Sequence, residues 1–108
     1  KMYERACAVG PCIVTGVAET TIRQWTIGVE IIRDGETVFS GETSINNIKR
    51  TFDELLEYLG RSQSFPHGAM LLTGTGVVPG DEFTLVAEDR IRITVTGIGT
   101  LENPVAIV

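Results

Sequence analysis

Leu71-Leu72-Thr73-Gly74-Thr75-Gly76-Val77-Val78-Pro79-Gly80 is the stretch best equipped to receive a ligand. Two apolar residues run into a Thr-Gly-Thr-Gly turn, and the chain leaves through Pro-Gly. A buried strand ending in glycines offers bare backbone N–H groups and small hydroxyls, an arrangement that lets a small anion approach the main chain. The same pattern equally describes a glycine-rich turn without a ligand. No self-sufficient catalytic set stands elsewhere: there is no GxSxG elbow, no HExxH, and no Lys-Ser/Thr after the glycines to make a Walker loop. Cys7 or Cys12 with His67 supplies the residue types of a thiol–imidazole pair, and nothing in the spacing brings them together. Cys7 and Cys12 are separated as C-x4-C, neither a redox CxxC nor half of a usual zinc site. With His67 the single histidine, a His-rich metal site is excluded. Glu30/Glu42 across a hairpin and Asp81/Glu82 in a loop are acid pairs indistinguishable from surface charge.

The elements that must position these residues belong to one domain of 108 residues. Such a chain buries roughly two-thirds of its unfolded surface around a single core. Hydrophobic residues make up 43% and charged residues 21%, the balance of an ordinary globular domain. A net charge of −5 argues against a nucleic-acid binder, because a row of phosphates would go unneutralised. No apolar run approaches the ~18 residues of a spanning helix. The start, Lys1-Met2-Tyr3-Glu4-Arg5, lacks a signal-peptide pattern, and two free thiols suit the cytoplasm. Opening on Lys and running directly into ordered-looking sequence, the chain reads as a piece of something longer.

Residues 1–17 hold two apolar clusters around Gly10-Pro11 and read as loop, turn and short strand. Residues 18–22 are polar and Thr-rich and read as a loop. Trp25, Ile27, Val29 and Ile31 alternate with Thr26, Gly28 and Glu30, the period of a half-buried strand. Asp34-Gly35 then predicts a hairpin returning through Thr37 to Ser40. Thr51-Phe52-Asp53-Glu54 is a capping box. Phe52, Leu55, Leu56 and Leu59 form the stripe of an amphipathic helix packed on the sheet, stopped by Gly60. Ala69 to Thr73 reads as a short buried strand feeding the glycine turn, and Pro79 to Asp89 as a loop. Ile91, Ile93 and Val95 alternate with Arg92 and Thr94 in a further strand, which Gly97 and Gly99 bend or bulge. The sum is α+β, four or five strands, mostly antiparallel, with one short helix.

Three blocks carry a resemblance: Lys1-x-Tyr3-x-x-Ala6-Cys7-Ala8-Val9-Gly10-Pro11, Leu72-Thr73-Gly74-Thr75-Gly76, and Gly97-Ile98-Gly99-Thr100-Leu101-x-Asn103-Pro104-Val105. In this order and at about this spacing, the chain resembles the fumarylacetoacetate hydrolase family. The resemblance implies the family's mixed β-roll and makes residues 1–108 the C-terminal portion of its catalytic domain. It also implies a divalent metal, Mg2+ or Mn2+ in the intact protein, acting as Lewis acid on a small 2-keto acid. Sheet surface left uncovered by the missing half predicts association into a homo-oligomer. Carried over by position, Lys1 matches the catalytic lysine beside the metal. Thr75 matches the threonine that binds the substrate carboxylate through hydroxyl and backbone N–H, with Gly74 giving the close approach. The family's metal ligands, a Glu-x-Glu pair and an Asp, lie upstream of the lysine motif. No metal ligand is therefore expected in this chain, and no turnover from it alone.

Two departures stand out, the first bearing on the hydrolase activity and the second on the backbone of one turn. Glu4-Arg5 stands where many hydrolases of the family carry Asp-Thr, and Ala87-Glu88-Asp89 replaces the usual Pro-Gly-Asp before the final strand. The Cys-Ala-Val-Gly-Pro run and the extension Gly74-Thr75-Gly76-Val77-Val78-Pro79-Gly80-Asp81-Glu82-Phe83-Thr84-Leu85 are similar to the 2-keto-3-deoxy-sugar-acid dehydratases. An acylpyruvate-type C–C hydrolase is the alternative within the family. A catalytically silent binding or structural member is the alternative outside enzymology.

Overall fold

Asp34 and Gly35 both take positive φ, 51° and 82°, the two-residue turn whose twist matches paired antiparallel strands. Around it, the computed structural model, which describes residues 6–74 and 76–107, folds strand β1 (Thr26–Arg33) against β2 (Glu36–Ser44). Thr26 faces Ser44 and Ile31 faces Phe39, with a register shift between Ile31 and Ile32. β3 (Arg90–Val95) pairs antiparallel with the other side of β1, and β4 (Gly99–Pro104) pairs antiparallel with β3. The sheet order is β2-β1-β3-β4. The α+β, antiparallel reading agrees with this sheet. Gly97 and Gly99 do more than bend a strand: they reverse it. The Ile98 N–H donates to the Val95 carbonyl at 3.1 Å, Gly97 sits at φ 78°, and Gly99 opens β4. A side chain on Gly97 would be driven into the Trp25 ring.

Two-residue alternation gives the sheet unlike faces. One carries Ile27, Val29, Ile31, Phe39, Ile91, Ile93 and Val95. The other carries Glu30, Arg92 and Glu102 side by side across β1, β3 and β4. Arg92 reaches Glu30 at 3.3 Å and Glu102 at 2.9 Å, and Arg90 reaches Glu102 at 2.8 Å. These two arginines hold the Glu102 carboxyl below its ordinary range. Glu30 and Glu42 are not direct neighbours across the hairpin, since Glu30 faces Ser40 and Glu42 faces Gly28.

Four segments differ from the sequence expectation. Residues 18–22, read as loop, contain a one-turn helix, α1 (Glu19–Ile22), because the Ala18 carbonyl accepts from both Thr21 and Ile22 N–H groups. Neither residues 6–17 nor 69–73 form a strand. A strand needs a neighbour for its ladder, and among the described residues these segments have none. Leu72 is consequently 73% exposed rather than buried. Helix α2 (Phe52–Gly60) starts as expected, with Thr51 Oγ1 accepting from Glu54 N–H at 3.1 Å. The reciprocal arm of the box is absent, because the Glu54 carboxylate lies 3.9 Å from Arg50. α2 ends at Gly60, with Arg61 as its C-cap, but it buries no residue on the sheet; Leu56 is 59% exposed. Among the described residues only Ile31, Ile45 and Asp89 are buried.

Candidate functional site

At the end of the hairpin away from Asp34, a cavity of 340 Å3 opens between β2, the segment 45–50 and the glycine turn. Its lining includes Thr43, Asn47, Lys49, Thr73, Gly74 and Gly76. The turn lies flush on β2 because two glycines permit it. A Cβ on Gly76 would stand 2.9 Å from Thr43 Oγ1, and one on Gly41 would stand 2.7 Å from Val77 Cγ1. Gly74 takes φ 105°, a conformation L side chains rarely adopt.

The opposite wall is assembled from side-chain hydrogen bonds. A short 3-10 turn at Ile45–Asn47 starts where Ser44 Oγ accepts the Asn46 N–H at 3.2 Å. Buried Ile45 donates its N–H to the Trp25 carbonyl at 3.0 Å, and Asn47 Nδ2 donates to Thr43 Oγ1 at 3.1 Å. Arg23 then fixes the following segment. Its Nη1 donates to the Ile48 carbonyl and its Nη2 to the Arg50 carbonyl, both at 2.6 Å. Its Nε donates to Glu19 Oε1 at 2.7 Å, and the Glu19 carboxylate in turn accepts the Phe52 N–H at 3.3–3.4 Å. One guanidinium thus grips the residues on either side of Lys49, and one carboxylate caps α2. This Glu19–Arg23 network was not foreseen; its signal in the sequence is only an i,i+4 acid–base pair.

At the Asp34 end of the hairpin the chemistry is complete in itself. Asp89 is fully buried and accepts two parallel bonds from Arg33, Nε to Oδ1 and Nη2 to Oδ2, each 2.8 Å. The Val86 N–H adds a third donor at 2.9 Å. The Arg33 guanidinium and this N–H pull the Asp89 carboxyl down to about 2. Both carboxylate oxygens find donors within the scaffold, so this is a strut rather than a site.

Of the sequence-predicted site residues, Gly74 lines the cavity, while Lys1 and Thr75 lie outside the described residues. The cavity nevertheless contains both neighbours of Thr75. Cys7 and Cys12 are exposed free thiols, and Cys12 donates to the Ile98 carbonyl at 3.5 Å rather than to His67. Among the described residues no three His, Cys, Asp or Glu side chains gather as metal ligands. A metal therefore finds no cage among the described residues.

Residues 1–106 match the fumarylacetoacetate (FAA) hydrolase C-terminal family. The chain belongs to this family. Among its fumarylacetoacetate hydrolase relatives, a probable 2-keto-3-deoxyxylonate dehydratase of Haloferax volcanii is 39% identical over 108 residues, all of this chain and 37% of that protein. A 2-dehydro-3-deoxy-D-arabinonate dehydratase of Saccharolobus solfataricus is 39% identical over 105 residues, 97% of this chain and 35% of that protein. A solved 2-keto-3-deoxy-D-arabinonate dehydratase, complexed with magnesium and 2,5-dioxopentanoate, superposes with a TM-score of 0.73 at 36% identity. The match covers 82% of this chain and 32% of that one. The chain therefore spans little more than a third of the curated relatives it matches. No helix among the described residues is long and apolar enough to cross a membrane.

Proposed function

We propose that this chain is the C-terminal portion of the catalytic domain of a dehydratase acting on a 2-keto-3-deoxy sugar acid. The observation that carries the reading is the match of essentially the whole chain, at 39% identity, to two proteins named for that reaction. The cavity supports it. Its lining sets Thr43, Asn47 and Thr73 among Ile27, Ile48 and Leu55, its basic residues Lys49 and Arg50 suit a small organic acid, and its 340 Å3 is the size of a small-metabolite pocket.

In this reading the backbone at Gly74 and the hydroxyl and N–H of Thr75 receive the substrate carboxylate. The Lys1 ammonium stabilises negative charge as it develops on the keto oxygen. Magnesium, the ion named in the solved relative, would polarise the 2-keto-carboxylate from ligands contributed outside these residues. Loss of one water from 2-keto-3-deoxyarabinonate gives 2,5-dioxopentanoate, so substrate and product share the carboxylate that the turn receives. Apolar side chains left open on the sheet, Ile93 among them, would pack against the remainder of a β-roll or against a second subunit of a homo-oligomer. The exposed thiols fit a cytoplasmic protein.

The test is dehydration of 2-keto-3-deoxy sugar acids by the full-length protein with magnesium, alongside its Lys1→Ala form and the 1–108 chain. We expect turnover in the first and none in the other two. Pyruvate released from acylpyruvates instead would make the protein a hydrolase. Inactivity on both substrate classes without metal binding would make it a binding protein.

A further inference from the structure

Arg23 holds the carbonyls of Ile48 and Arg50 with two bonds of 2.6 Å from one guanidinium, which fixes the backbone on both sides of Lys49. Arg23 is fixed in turn by Glu19, and its guanidinium lies 5.2 Å over the Phe52 ring. Glu19, the Phe52 ring and two carbonyls thus converge on the Arg23 guanidinium, and those carbonyls flank an exposed lysine. Lys49 lines the same cavity as Gly74 and Gly76. Among the described residues no hydrogen bond or ion pair engages its ammonium. The neighbouring cation differs: Arg50 is shared with Glu54 at 3.9 Å. A rigidly seated backbone carrying a cation with no partner among the described residues, on a cavity lined largely by apolar groups such as Ile48 and Leu55, is a built anion contact. A low-polarity surround strengthens its pull on an anion, and ordering a lysine on a mobile loop would cost conformational entropy at each binding event.

We infer that Lys49 is a specificity-determining residue that binds the substrate carboxylate from the wall opposite the Gly74 turn. The inference rests on the proposed reading of this cavity as the substrate site. The carboxylate would sit between backbone N–H groups and an ammonium, so acids are selected over their uncharged esters. Charge neutralisation here is unchanged between substrate and product, which places the effect in binding rather than in the chemical step.

The experiment uses the full-length protein, wild type and its Lys49→Met, Lys49→Arg and Arg50→Met variants. Pyruvate and methyl pyruvate are titrated by calorimetry, and dehydration kinetics are recorded where turnover occurs. Loss of one charge-assisted contact implies roughly tenfold weaker pyruvate binding and a similar rise in KM for Lys49→Met, with kcat nearly unchanged. Lys49→Arg restores most of the affinity, Arg50→Met changes it less, and methyl pyruvate binds wild type and Lys49→Met alike. A merely structural role would weaken both ligands together. Equal pyruvate affinity in wild type and Lys49→Met, including no binding to either, overturns the inference. So does a parallel loss of methyl pyruvate. If the wild type binds pyruvate through Lys49 but dehydrates no sugar acid, the proposed activity fails and the carboxylate contact stands.

Discussion

The two ends of the β1–β2 hairpin are built from the same kinds of residue and finished differently. At the Asp34 end, Arg33 meets a buried carboxylate with two 2.8 Å bonds, and a third donor completes it. At the Ser44 end, an arginine is spent on main-chain carbonyls, and the lysine between them faces a cavity. A fully paired charge stabilises shape and has nothing left to offer a ligand. An unpaired one on a fixed backbone adds little to stability and is available for recognition. The difference teaches where to look for function in this sheet, namely at the end where pairing was left incomplete.

If that contrast is right, changes at the two ends should separate into stability and binding. The largest expected effect is at the closed end. Asp89→Asn in the full-length protein strips Arg33 of its buried partner, and thermal unfolding should fall by on the order of 10 °C near neutral pH. The pH dependence has a definite sign. Asp89 ionises at about 2 when folded against an ordinary value of 3.8. Its contribution is complete above the ordinary value and disappears as pH falls through the folded one. Wild type should therefore lose stability between roughly pH 5 and pH 2, and the unfolding midpoint of Asp89→Asn should be flatter across that window. A variant as acid-sensitive as wild type would remove the strut from the account.

An intermediate effect belongs to the open end. Gly76→Ala forces a methyl against Thr43 and lifts the turn from β2. Steady-state kinetics should show kcat/KM reduced roughly tenfold or more, since a displacement near 1 Å is enough to spoil a binding geometry. The melting temperature should move by only a few degrees, because the turn buries little. The smallest effect is expected on the wet face. Arg92→Gln breaks contacts to Glu30 and Glu102, yet all three side chains remain in water, where such pairs are screened. Melting should shift by no more than a degree or two, and that shift should vanish in high salt. A loss comparable to Asp89→Asn would show that burial is not what separates the two pairs.

The hairpin was legible in the sequence because Trp25–Ile31 alternates cleanly and Asp34-Gly35 permits a tight turn. Thr51 was legible as a cap for the same local reason. The readings that failed required a partner. Ala69–Thr73 has a strand's composition and lacks a strand's neighbour, and the stripe on α2 implies a packing surface that the described residues do not supply. The family's order of motifs pointed to Gly74 and the cavity it lines. The cavity's other wall was invisible, since a guanidinium bonded to two carbonyls leaves no side-chain pattern at Ile48 or Arg50. In the sequence Asp89 is only the last residue of the 79–89 loop. Its burial depends on Arg33, 56 residues away. The departure at Ala87-Glu88-Asp89 also became clear only in three dimensions. Glu88 adopts φ 70°, so a residue with a side chain takes the left-handed position, while the aspartate that follows is retained and buried.

That long separation has a consequence for the order in which the molecule assembles. β1 and β2 are joined by two residues, whereas β1 and β3 are neighbours only after the chain between Arg33 and Arg90 has been looped out. Closing a loop of that length is entropically slow relative to forming a tight hairpin. The hairpin should therefore be the early structure in refolding, and the arrival of β3 the late, rate-setting one. Because Arg33 terminates β1 and Asp89 immediately precedes β3, their pairing forms at the seam where the last strand docks. Removing it should accelerate unfolding while leaving formation of the hairpin untouched.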